Sequence, residues 1–360
     1  MHSDAPQEST YRMHGLKLSY FTGKLEAYFR CKGIAYVFVE VDTADFKRCA
    51  RATGIAQMPQ VECSDGAWLT DTTAIIAHFE ETLPSPRLHP VSPRARFISL
   101  LLEDMFDEWL WRPALYYRWA FDDDARLMST QIARSMLRDV PVPLWLRRRL
   151  ILARQRQVYL AEDGVTSATR GAVEALYTRM LALLEPIFAT RPFILGQRPC
   201  EADFGLFGPF FRHFSIDPTP AGILRENGPN ILAWTARLWA ATPSSIASSP
   251  EIDALPGDLD TLLAVAGQEY LPYLASNTRA MRDEERRVQF PSDGAMFEVP
   301  VSPYRAHCHA ALLRAFQRLA PNDQTDIALA IGAGAELLLA PPAENAVPKP
   351  GKAPVGRHWF

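Results

Sequence analysis

Short apolar runs alternate with amphipathic stretches over the first eighty residues. Met13 to Leu18 reads as a strand that gives way at Ser19 to a helix. That helix opens at Thr22 or Gly23, carries Leu25, Ala27, Tyr28 and Phe29, and stops at Gly33. Tyr36 to Val41 is a second buried strand. A mostly polar helix follows from Thr43 to about Gly54, completing a right-handed strand-helix-strand unit. Met58-Pro59 precedes a third strand, Gln60 to Cys63, which turns at Asp65-Gly66 into Trp68-Leu69. Asp71-Thr72 then caps a helix from Thr73 to Thr82 with Ala74, Ile75, Ile76 and Phe79 on its packing face. The pattern predicts a small α/β domain over 11–84.

A proline-rich connector, 85–93, cannot continue that helix. Beyond it the apolar spacing is helical: Arg94 to Trp119, a stretch near Met128 to Leu137, Leu144 to Leu160, Ser167 to Thr190, Ala202 to Phe214 and Ile231 to Ala241. An all-α bundle is expected over 94–249. A helical extension over 250–340 should hold a helix from Leu259 to Thr278, a strand or loop from Phe290 to Val301, and helices at Tyr304 to Leu319 and Asp323 to Leu339. The tail, 341–360, is rich in Pro, Ala and Lys and reads as disordered.

Bulk properties narrow the class. The 360 residues are 48% hydrophobic, enough for two domains and more, and a net charge of −3 gives no electrostatic reason to expect nucleic acid. Five scattered cysteines make no disulfide framework and point to a reducing compartment. The first ten residues are polar and acidic, unlike a signal peptide, and no apolar stretch reaches the length needed to span a bilayer. A cytoplasmic protein without membrane partners is expected.

Three segments carry candidate chemistry: Ser19-Tyr20-Phe21-Thr22-Gly23-Lys24, Met58-Pro59 and Asp71-Thr72-Thr73-Ala74-Ile75. A helix start offers free N–H groups and a positive dipole end that can hold a carboxylate, while an aspartate at the cap can hold an ammonium. Asp71-Thr72 could therefore grip both ends of an amino acid. In order and spacing the three segments resemble the thioredoxin-like half of the glutathione S-transferase superfamily. A second block supports this. Gly196 to Phe207 is similar to the family's Gly-x-x-x-Ser/Thr-x-Ala-Asp segment, with Cys200 at the cap position and Asp203 three residues on. The cysteine is a poorer acceptor there and is expected to lower the cap's contribution by up to roughly 1 kcal/mol.

The resemblance implies glutathione as co-substrate, a hydroxyl at Ser19 that stabilises its thiolate, and no metal. Thr22 is the alternative donor, and Tyr20 is expected to line the pocket. The backbone at Met58-Pro59 would pair with the cysteinyl part of the tripeptide, Gln57 would reach its glycyl carboxylate, and Asp71 and Thr72 would receive its γ-glutamyl group. The absence of cysteine at position 19 favours transfer over thiol-disulfide exchange. The implied activity is attack on a small apolar electrophile, with Trp109, Tyr116 and Tyr117 of the first long helix as candidate pocket residues, and a homodimer is implied as well. A lyase, isomerase or dehalogenase using the same thiolate remains open, as does a binding or scaffold protein without turnover. Lys24 reads as a solvated residue in a first helical turn, where a cation does not suit the dipole. Arg147-Arg148-Arg149 reads as a solvated face, and Ile331-Gly332-Ala333-Gly334 as small residues packing within a helix.

Overall fold

The computed structural model describes residues 11–342; the expected features at 1–10 and from 343 onward lie outside the described residues. Four strands form one sheet in the order β2-β1-β3-β4: β1 Tyr11–Gly15, β2 Tyr36–Glu40, β3 Gln60–Cys63 and β4 Trp68–Thr70. β1 runs parallel to β2, as a helical crossover requires, and antiparallel to β3, while β3 and β4 form a hairpin. The helices are α1 Tyr20–Lys32, α2 Thr43–Thr53 and α3 Thr72–Thr82. α1 and α2 each stop at a glycine in the left-handed region, Gly33 at φ 77° and Gly54 at φ 76°. This is a thioredoxin-like domain. α1 begins two residues before the earliest expected start, because Ser19 rather than Thr22 takes the cap.

The second region is helical throughout: α4 Pro93–Trp109, α5 Trp111–Ala120, α6 Asp122–Ser135, α7 Leu144–Arg156, α8 Arg170–Thr190, α9 Glu201–Pro209, α10 Pro218–Asn227, α11 Pro229–Ala240 and α12 Pro243–Ala247. The single helix expected from Arg94 to Trp119 is two, divided at Leu110. Pro113 causes the division, since it has no N–H to give to the Trp109 carbonyl and its ring crowds the preceding turn. Asp203 anchors the start of α9. It accepts the backbone N–H of Ile194 at 3.1 Å and of Cys200 at 3.1 Å, and the Trp234 indole at 2.9 Å. Cys200 and Asp203 form a capping box, and the Cys200 thiol also lies 3.5 Å from the Asp203 carboxylate, to which it can donate.

The last region contains α13 Asp260–Val265, α14 Leu271–Arg282, a hairpin of β5 Arg287–Ser292 and β6 Ala295–Pro300, α15 Pro303–Gln317 and α16 Pro321–Ile331. The helix expected to run on to Leu339 stops at Gly332, and a short 3-10 turn, Ala335–Leu339, follows. Gly332 and Gly334 both have positive φ. A Cβ on Gly334 would lie 1.8 Å from the Gly267 carbonyl oxygen, so two backbones meet there directly. Leu262, Tyr270, Leu274, Phe290, Leu313 and Leu338 share one continuous buried cluster with Tyr28, Leu101 and Phe204. The extension is therefore packed into the same core as the first two regions.

Candidate functional site

Sheet register gathers the three candidate segments. Gln60 pairs with His14 on one side and with Thr70 on the other. Pro59 precedes Gln60, Asp71 follows Thr70, and Ser19 lies just past the end of β1, so all three meet at one end of the sheet.

Ser19 is half-buried at the N-cap of α1, with extended backbone and its Oγ accepting the Thr22 N–H at 3.4 Å. The hydroxyl hydrogen stays available to another acceptor. Arg118 of α5 holds the turn before it, giving one N–H to the Leu18 carbonyl at 2.9 Å while its fork binds Asp217 at 2.8 and 3.0 Å. Burial lifts the Asp217 carboxyl to about 6, against the opposing pull of that guanidinium.

The Met58–Pro59 bond is cis. Met58 is half-buried against a cluster that includes Leu16, Leu18 and Trp111, and Gln57 is exposed. At the third segment Asp71 caps α3 from the left-handed side of φ, at 68°, with Oδ1 accepting from Thr73 at 3.1 Å. Its other oxygen, Oδ2, accepts the hydroxyl of Tyr304 of α15 at 3.1 Å. Thr72 is buried at the first position of the helix.

Two residues expected near glutathione are turned inward. The Thr22 hydroxyl is sealed against Gly15 with no hydrogen-bond partner among the described residues. The Tyr20 hydroxyl donates to the Phe106 carbonyl at 2.5 Å, and its ring packs on Trp111 and His213, making it an anchor between domains and not a pocket wall. The expected acceptor-site aromatics are also core residues. Tyr117 stacks on Phe121, Tyr116 donates to Glu174, and Trp109, 1% exposed, packs among Tyr270, Tyr273 and Phe290 of the extension. Their density in sequence reflected a helix that is covered on more than one side. The aromatics beside Ser19 are instead Phe21, stacked on Trp111 at 5.7 Å, and Tyr159, edge-on to Trp111 at 5.6 Å, all half-buried.

Lys24 is the largest departure from expectation, since it is completely buried. Its ammonium donates to Glu103 and Asp107 of α4 and to Thr73 at 3.1 Å, and Thr73 donates to Glu103 at 2.6 Å. One cation thus joins the two domains beneath the Asp71 cap. Burial pushes the Asp107 carboxyl up, and the neighbouring Glu103 adds to this, while the two acids keep the Lys24 ammonium charged. No apolar pattern marks such a residue; the only sequence hint is a cation where the dipole opposes it.

One group has donor types suited to a metal: the ligand atoms of His14, Asp45 and Cys49 lie within 4.8 Å of one another. His14 Nδ1 is 2.8 Å from Asp45, however, and Nε2 is 3.1 Å from Glu62 and 3.2 Å from Arg48, so the ring is already held by carboxylates beside a guanidinium. No helix among the described residues is long and apolar enough to cross a membrane.

Residues 13–87, which hold all three segments, match the family model for the glutathione S-transferase N-terminal domain. Similar solved structures include a beta-etherase from Sphingobium, 18% identical, with 66% of this chain and 98% of that one covered at a TM-score of 0.43. A glutathione S-transferase from Methylobacterium radiotolerans in complex with glutathione sulfonate is 19% identical, with 68% and 97% covered at 0.40. A Tau class glutathione S-transferase from mango is 12% identical, with 68% and 95% covered at 0.40. No curated protein matches the chain. Likenesses of this size say nothing of chemistry. What the comparison shows is therefore confined to the first domain: residues 13–87 are similar to the glutathione S-transferase N-terminal domain.

Proposed function

We propose that the protein binds glutathione across Ser19, Met58-Pro59 and Asp71-Thr72 and activates its thiol for attack on an electrophile. The observation that supports this most directly is the family match over residues 13–87, which contains every one of these positions. The Ser19 hydroxyl would donate to the sulfur and favour its charged form, since only the thiolate is a strong nucleophile. The sulfur then bonds to the electrophilic carbon and the leaving group departs with the electron pair. Asp71 would take the γ-glutamyl ammonium and the start of α3 its carboxylate. Phe21, Trp111 and Tyr159 would flank the acceptor. All five cysteines are free, as suits a reducing, cytoplasmic setting, and we propose the homodimer usual for this lineage.

A second reading, a binding protein without turnover, is favoured by one contact: Asp71 Oδ2 is already engaged by Tyr304. Calorimetric titration of glutathione into wild type and Ser19→Ala, with thiolate absorbance followed across pH, separates the two. Transfer requires binding by wild type and a raised pKa of the bound thiol in the mutant, with kcat/KM lower by roughly 10²-fold. No heat at millimolar glutathione leaves only the second reading.

A further inference from the structure

The extension reaches the Asp71 cap through Tyr304 of α15. Beside Ser19, Phe21 stacks on Trp111, which follows the helix break before Arg112. Where Tyr304 touches Asp71, the next residue, Arg305, pairs with Glu108 at 3.0 Å. Between them lies a buried cluster of polar and charged side chains. Arg112, 4% exposed, gives its Nε to the Asp163 carbonyl at 3.0 Å and is caged by Trp109, Phe290 and Phe297 at 5.5, 5.2 and 4.7 Å. Arg305 lies over the Tyr273 ring at 5.5 Å. Both guanidinium groups act on the Tyr273 hydroxyl, opposing the upward push of burial, and Glu108 and Asp163 act on it as well.

Three buried atoms here have no hydrogen-bond partner among the described residues: the Tyr273 hydroxyl, the Trp109 indole N–H and Asp163 Oδ2. Tyr273 and Trp109 are each 1% exposed. A buried polar atom left unpaired costs about 1–3 kcal/mol, so a set of three in one place calls for an occupant. Of the three, the indole N–H and the phenol are donors and the Asp163 oxygen is an acceptor, and they lie beside two guanidinium groups already paired in part with Asp163 and Glu108. Donors outnumber acceptors, and a planar guanidinium fork matches a carboxylate best. The Arg305 and Glu108 side chains keep 13% and 12% exposure.

We infer that this cluster, formed by Arg112, Asp163, Tyr273 and Arg305 with the Trp109 indole, binds the carboxylate of the second substrate, an aromatic acid whose ring lies against Phe21, Trp111 and Tyr159. The acceptor is thus a small organic acid, not a wholly apolar electrophile. This rests on reading the cleft as the site of transfer.

The test compares 4-chloro-3,5-dinitrobenzoate with 1-chloro-2,4-dinitrobenzene as glutathione acceptors. In both, the thiolate sulfur bonds to the ring carbon, the C–Cl bond breaks and chloride leaves, while the thiol proton has already passed to solvent. The ratio of kcat/KM for the acid over the neutral compound should fall at least tenfold in Arg305→Gln and several-fold in Tyr273→Phe. The second variant keeps the test open if the first fails to fold. In parallel, binding of unreactive 3,5-dinitrobenzoate and 1,3-dinitrobenzene is measured by calorimetry without glutathione. Wild type should bind the acid at least tenfold tighter, and both variants should erode that preference. A preference without turnover supports the inference and sinks the transferase reading. Equal affinity for the two compounds, or a preference that survives both substitutions, overturns the inference.

Discussion

Tyr304 and Asp71, 233 positions apart in sequence, meet through a 3.1 Å hydrogen bond from the phenol to the carboxylate that caps α3. That carboxylate is the one on which the proposed γ-glutamyl contact depends. A hydroxyl from the extension therefore occupies a place the ligand's ammonium would need.

Removing the hydroxyl frees the oxygen without changing the ring. Tyr304→Phe should tighten glutathione binding by roughly 3- to 10-fold, the scale of one hydrogen bond of about 0.5–1.5 kcal/mol. Calorimetry reads this directly. Unchanged or weaker binding would show that the phenol supports the ligand instead of competing with it.

The Lys24 cluster answers to a stability measurement. Lys24→Met removes the shared cation and leaves Glu103 and Asp107 buried beside each other. Breaking a buried pair in this way costs about 3–5 kcal/mol. The midpoint of denaturant unfolding should fall accordingly, whereas a shift within ~0.5 kcal/mol would mean that the two acids simply take up protons.

Little of that cluster could be read from sequence. Gln60 to Cys63 emerged with its observed ends because an X-Pro and an Asp-Gly turn bracket it, and Gly33 marked its helix end because only glycine fits the left-handed cap comfortably. Ser19, Met58 and Asp71 fell at element junctions that local signals locate well. Lys24, Trp109 and Tyr304 did not, because their environments are made by partners about 80 to more than 200 positions away. The aromatic run from Phe106 to Trp119 signalled burial correctly but could not say what covers it.

Stability should also respond to pH through Glu201. This residue begins α9, is buried, and accepts the Ser99 hydroxyl at 2.7 Å; burial lifts its carboxyl to about 8, despite that bond. A folded-state pKa above the unfolded one means the folded protein binds more protons, so this contribution falls as pH rises from about 4.5 to about 8. Glu201→Gln should flatten that slope and stabilise the protein at pH 8 by on the order of 1–3 kcal/mol. Denaturant titrations at pH 5 and 8 give the comparison; parallel slopes in wild type and variant would exclude the effect.

Thiol reactivity should be confined to one position. Cys31, Cys49, Cys200 and Cys308 are buried, and burial pushes Cys31 and Cys49 up to about 12. Only Cys63 is half-buried. A chromogenic disulfide reagent at pH 8 should therefore modify one thiol in the native protein and all five after denaturation. Rapid modification of two or more native thiols would contradict this packing.

The shared core also sets an order of events during synthesis. Trp109, Arg112 and Asp71 leave the ribosome long before Tyr273, Phe290 and Tyr304, which cover them. At ~5–20 residues per second, α4 waits on the order of ten seconds or more with its outer apolar face bare. The nascent chain thus exposes an apolar face that only its last third covers, the kind of surface that makes a folding intermediate prone to aggregate.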